Sequence, residues 1–128
     1  MKPGYKFVMV AAASSVLGAT VAEVIHAQNN TPPAYLIAEI RVTDPEAYKE
    51  YVSKVPAGIE AFGGRFLVRG GKTESLEGAE PAGRVAVIQF RSLAEAKQYW
   101  NSPAYKEIEP IRHRSATSRI FLAEGAVP

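Results

Sequence analysis

Residues 34–48 read Ala34-Tyr35-Leu36-Ile37-Ala38-Glu39-Ile40-Arg41-Val42-Thr43-Asp44-Pro45-Glu46-Ala47-Tyr48. Leu36, Ala38, Ile40 and Val42 are all apolar, and Tyr35, Ile37, Glu39 and Arg41 form a more polar alternate set. Period two of this kind predicts a strand with one face in a core. Asp44-Pro45-Glu46 then supplies an N-cap, a proline for the first helical position and an acid in the first turn. Tyr48, Tyr51, Val52, Val55, Ile59 and Phe62 follow at helical spacing, while Pro56 and Gly58 predict a kinked or two-piece helix. Gly63-Gly64 ends it.

Working towards the C-terminus, Arg65 to Val68 resume period two, with Phe66 and Val68 opposite Arg65, Leu67 and Arg69. Gly70-Gly71 predicts a bulge before Lys72 to Leu76 continue the strand, and Gly78 to Gly83 a turn. Arg84 to Phe90 is apolar at nearly every position, which places it centrally, covered on both faces. Ser92-Leu93-Ala94-Glu95 is a capping box that starts a second helix. Ser102-Pro103 restarts a short helical piece carrying Tyr105 and Ile108, Pro110 stops it, and Ser118 to Glu124 alternate as a last strand. Strand, helix, strand, strand, helix, strand is the order of an α+β, ferredoxin-like domain with both helices on one face of an antiparallel sheet. The other face, with Tyr35, Ile37 and Leu67, is apolar enough to favour burial against a second copy of the chain.

Towards the N-terminus the composition changes. Lys2 and Lys6 precede an almost uncharged apolar run from Phe7 to Ala22, and Ala27 offers a small residue for cleavage. That order predicts a signal peptide over residues 1–27, a flexible lead-in over 28–33, and one domain over 34–128 in a periplasmic or secreted protein. The run is short and weakly hydrophobic for a bilayer span, so no stable membrane span is expected after cleavage. A net charge of +2 with interleaved acids and bases predicts no nucleic-acid binding through bulk charge. The absence of cysteine excludes disulfides, thiolate metal sites and a cysteine nucleophile.

The run from Ala34 to Glu124 resembles the small bacterial proteins grouped as domain-of-unknown-function family thirteen-thirty. The resemblance is carried by Ala34 to Glu39, Thr43 to Tyr48, Gly63 to Gly71, Ser102-Pro103-Ala104-Tyr105, and Pro110 to Ala116. It implies the dimeric α/β-barrel superfamily, in which two ferredoxin-like sheets face each other and each subunit holds a pocket. Relatives on that fold include cofactor-independent monooxygenases, isomerases and haem-using enzymes, so the fold alone does not choose an activity. An N-terminal export segment departs from the family's commonest form.

Several residues are candidates for chemistry. Glu39 lies on the parity a dimer would enclose, where desolvation would suit it to proton transfer; the alternative is an ion pair with Arg69, Arg114 or Arg119. Arg69, before two glycines, and Arg114 are candidates for gripping an anionic ligand, because guanidinium offers a planar donor fork; the alternative is a structural arginine cluster. Trp100 and Tyr105 flank the helix restart and are candidates to line a pocket, whereas Tyr48, Tyr51 and Tyr99 read mainly as core. His113 has no partners for a metal site and reads as an exposed loop residue. No cofactor or metal is expected. These features predict a homodimer whose pocket takes a small anionic or aromatic metabolite, either as a cofactor-independent enzyme acting through Glu39 and the arginines or as a non-catalytic binding or interaction module.

Overall fold

The computed structural model describes residues 30–127, and the segment 1–27 read as an export signal lies outside them. Four strands, β1 (Ala34–Val42), β2 (Arg65–Arg69), β3 (Arg84–Phe90) and β4 (Ala116–Glu124), form one antiparallel sheet in the order β2-β3-β1-β4. Three helices, α1 (Pro45–Ala61), α2 (Leu93–Trp100) and α3 (Pro103–Ser115), connect them. The fold is therefore α+β and ferredoxin-like, with the second helical connection made of two helices and with a sheet that does not close.

The helix starts follow from capping chemistry. Asp44 accepts from the Ala47 N–H at 3.2 Å, Ser92 from Glu95 at 3.1 Å and Ser102 from Tyr105 at 3.2 Å. The expected capping box at Ser92 is made in one direction only, because the Glu95 carboxylate pairs with Arg91 at 2.9 Å instead of turning back to the cap. At the end of α1, Gly63 has φ +76°, its N–H bonds to the Glu60 carbonyl, and the Gly64 N–H bonds to that of Ile59. This is the two-bond closure that a left-handed glycine permits.

Pro56, expected to kink or divide its helix, and Pro110, expected to stop one, both lie inside helices. Helix α1 runs as one element through Pro56 and Gly58, and α3 continues past Pro110 to Ser115. Each proline forgoes one backbone bond, but the residues beyond Pro110 bury Ile111, Arg112 and Ser115. The Ser115 hydroxyl adds a bond to the Ile111 carbonyl at 2.6 Å. His113 consequently sits on a helix, exposed, and not in a loop.

The core lies between the sheet and the helices. Leu36, Ala38 and Ile40 of β1 and Ala86, Ile88 and Phe90 of β3 pack there against Tyr48, Tyr51, Val55, Ile59, Tyr99 and Tyr105. Strand β2 departs from the expected pattern. Phe66 faces Ile88 but Val68 faces Val87, so the bulge falls at Leu67 and not at Gly70-Gly71. The extra residue inverts parity: Val68 joins the open face, and Arg69, opposite Ala86, joins the helix face. Lys72 to Leu76 do not continue the strand, and Leu76 is 97% exposed. These polar residues meet no partner strand beyond the glycines that could reward an extension.

Candidate functional site

A cavity opens between the helix face of the sheet and helices α1, α2 and α3. The empty space within it, its open mouth included, is about 570 Å³. The floor is aliphatic, from Leu36, Ala38, Ile40, Ile88 and Ile120, so every directional interaction comes from the rim and roof. Those polar groups are the guanidiniums of Arg69 and Arg84, the phenols of Tyr48, Tyr51, Tyr99 and Tyr105, and the indole of Trp100.

Arg69 reaches the cavity because of the β2 bulge, and its guanidinium lies over the Phe66 ring, 4.4 Å from the centroid. Arg84 reaches it because its register partner is Ile40, on the helix face. Gly70, with φ +70°, makes room for this second guanidinium: a Cβ there would lie 2.6 Å from Arg84 Nη2. Among the described residues neither Arg69 nor Arg84 has a carboxylate within 4.0 Å.

Behind the roof lies a buried polar chain. The Tyr51 and Tyr105 hydroxyls are 3.0 Å apart, and Arg112 Nε donates to the Tyr105 hydroxyl at 3.3 Å. Arg112 Nη1 donates to Ser118 Oγ at 2.5 Å, and its guanidinium is 3.7 Å from the Glu109 carboxylate. Trp100 stacks on Tyr105, with centroids 4.8 Å apart and planes 30° apart. Burial holds the Tyr48, Tyr51 and Tyr99 phenols above the usual tyrosine range; for Tyr48 the nearby Arg84 charge opposes this, and for Tyr51 and Tyr99 the neighbouring Tyr105 adds to it. Those phenols stay protonated near neutral pH and serve as hydrogen-bond donors.

The structure brings Arg69, Trp100 and Tyr105 together on this cavity and does not bring Glu39 or Arg114 to it. Glu39 stands on the opposite face of the sheet, directly across from Arg119, and accepts from Arg119 Nε and Nη2, both at 2.6 Å. The ion-pair alternative therefore describes its geometry. Arg114 is exposed on α3 with its Nη2 3.6 Å from Glu50. His113 lies outside the cavity, 3.4 Å from Arg112 Nη2.

Sequence reasoning missed Arg84 and Arg112. Both carried a signal: Arg84 shares the parity of Ala86, Ile88 and Phe90, and Arg112 continues the helical spacing from Tyr105 and Ile108 once α3 is allowed past Pro110.

Comparison with known proteins locates this architecture. A family model described as a domain of unknown function, DUF1330, matches residues 33–126. No curated protein matches the sequence. A solved protein of unknown function from Rhodopseudomonas palustris is similar at 21% identity, with a TM-score of 0.62 over 83% of this chain and 94% of its own. SnoaB, a cofactor-independent oxygenase from Streptomyces nogalater, is similar at 10% identity, with a TM-score of 0.54 over 77% of this chain and 97% of its own. A Bacteroides thetaiotaomicron protein of unknown function, described as a possible oxidoreductase, has a TM-score of 0.52 at 9% identity, over 73% of this chain and 98% of its own. Such identities establish a shared fold and leave activity to the site.

Proposed function

The chain belongs to the DUF1330 family of domains of unknown function, and from that premise we propose that it is a small-molecule pocket protein whose cavity takes a small anionic or aromatic metabolite. The observation that carries this reading is the pair Arg69 and Arg84, two cations without carboxylate partners among the described residues, on a cavity whose other polar lining groups are phenols and one indole. Guanidinium and indole only donate hydrogen bonds, and phenols held protonated act chiefly as donors. A site of this composition is suited to stabilising negative charge on a bound molecule.

The same donors would stabilise an enolate or phenolate in an isomerisation or in a cofactor-independent oxygenation, and the similarly folded SnoaB is a cofactor-independent oxygenase. A non-catalytic binding role is favoured by a second observation: among the described residues no carboxylate or imidazole lines the cavity. Proton abstraction would need such a base. Glu39, the expected base, is engaged with Arg119 on the far face of the sheet. The proposal also includes a homodimer formed through that far face, and export to the periplasm or exterior after removal of residues 1–27.

Calorimetric titration with benzoate and benzamide tests the pocket. The acid is expected to bind more tightly, because only it forms charge-assisted bonds with the guanidiniums. Arg69→Ala is expected to remove most of that preference, a loss of roughly 1.5–3 kcal/mol. Arg114→Ala is expected to leave it unchanged. Undiminished discrimination in a folded Arg69→Ala protein would overturn the reading.

A further inference from the structure

Tyr51 and Tyr105 come from helices α1 and α3, are 7% and 2% exposed, and line the cavity side by side. Their hydroxyls contact each other, and among the described residues the one further group bonded to the pair is Arg112. Arginine has donors and no acceptor, so Arg112 Nε donates and the Tyr105 oxygen accepts. Two phenols carry two O–H hydrogens, and their mutual bond uses one. The other has no acceptor among the described residues, whichever phenol carries it, and the cavity that both rings line is where an acceptor can sit.

The charge around the pair selects the acceptor. Arg112 is 5% exposed, and Glu109 stands 3.7 Å from its guanidinium, beyond hydrogen-bond length. His113 lies 3.4 Å from the same guanidinium, and Lys106 Nζ lies 5.9 Å from the Tyr105 ring centroid. The remaining titratable neighbours are phenols: Tyr48, 5.5 Å from Tyr51, and Tyr99, 5.0 Å from Tyr105, between ring centroids. Among the described residues no carboxylate lines the cavity, and Arg69 and Arg84 add two further cations. A bond from Arg112 into the Tyr105 oxygen also polarises that phenol's own O–H towards donation.

We propose that Tyr51 and Tyr105, backed by Arg112, form a donor site in the cavity for an ionised ligand hydroxyl, the oxygen of a phenolate or enolate. The proposal rests on the pocket reading and assigns the deeper, Arg112-backed part of that pocket a distinct recognition task. Tyr51, which burial keeps protonated, remains a donor at the pH where such ligands ionise.

The probe is 4-nitrophenol, which is coloured when ionised. Binding is read from the fluorescence of Trp100, the chain's one tryptophan, which lines the cavity. Ionisation is read from the absorbance of the bound probe as pH is varied. The bound probe is expected to ionise about one pH unit lower in the wild type than in Tyr51→Phe or Tyr105→Phe, the effect of losing a charge-backed hydrogen bond to the ionised form. Equal ionisation in all three proteins overturns the proposal. If neither variant folds, a protein carrying both Arg69→Ala and Arg84→Ala decides: a bound probe that still ionises below its free value there supports the site, and one that does not overturns it. Failure of nitrophenol to bind where benzoate still binds overturns the donor site and leaves the pocket standing. Failure of both to bind removes the pocket and the donor site together.

Discussion

Arg112 carries a full charge at a position almost closed to water, and its neighbours explain how that is tolerated. A buried guanidinium is costly unless its donors are used. Here Tyr105, Ser118 and the face of Trp100, 5.7 Å from the guanidinium carbon, surround it. The tyrosines show the converse, neutral groups whose ionisation the fold resists. Tyr48, Tyr51 and Tyr99 are held above the ordinary value of 10.0, first by burial. In the unfolded chain they ionise near pH 10, so above that pH the unfolded state holds fewer protons than the folded one. Their contribution is therefore fully present below about pH 10 and is lost as pH rises further, by up to about 1.4 kcal/mol per pH unit for each tyrosine. Urea unfolding at about pH 9, 10 and 11 should show this decline, with a shallower slope in Tyr51→Phe. Equal slopes would place the alkaline loss on other groups. A single residue type was thus legible as core in the sequence, whereas its meeting with Arg112 was not. Tyr51 and Tyr105 are 54 positions apart, and only packing of α1 against α3 joins their hydroxyls.

At the scale of elements, helix starts were legible because caps act over three residues, and Asp44, Ser92 and Ser102 all cap where expected. The continuation of α3 past Pro110 was not, since a lost backbone bond of local cost is offset by burial of residues further along. The turn into β3 has a stricter requirement. Gly83 has φ +105°, and a Cβ there would meet the carbonyl oxygen of Ile40 in central strand β1. That neighbour is backbone and cannot swing aside. Gly83→Ala is expected to cost about 2–3 kcal/mol, combining backbone strain with displacement of the sheet. Gly71→Ala, with nothing within 4 Å of the added atom, should stay within about 0.5 kcal/mol of the wild type. Urea midpoints of the two variants compare them directly, and similar losses would contradict the close approach at Ile40.

At the scale of the whole molecule, one face of the sheet has no helix over it among the described residues. Val68, Val87, Ile37 and Phe121 lie in register across all four strands there, a continuous apolar row. The Glu39–Arg119 pair sits beside that row. If the proposed dimer buries this face, light scattering at micromolar concentration should give twice the chain mass. Ile37→Asp should then give a monomer, because a second copy would have to desolvate two carboxylates at the contact. A monomeric wild type would remove the dimer from the proposal without touching the cavity, which is formed within one chain. Export has its own measurement: intact mass of protein from the extracytoplasmic fraction should correspond to a chain beginning at Gln28, and full-length chain recovered in the cytoplasm would end that part of the reading.

The amino-acid order alone carries the α+β class, the succession of elements, the helix starts and the family resemblance, because alternation, capping and short motifs act between near neighbours in the chain. It does not carry the composition of the cavity. One bulged residue at Leu67 turns Arg69 inward, and a helix that outlasts Pro110 buries Arg112 beside Tyr105. Strand register places Glu39 against Arg119 on the opposite side of the sheet. Each of these outcomes depends on a parity or a phase carried across a bulge, a proline or a strand pair. The energies that decide them come from contacts between residues distant in sequence, so they are settled only when the chain is packed.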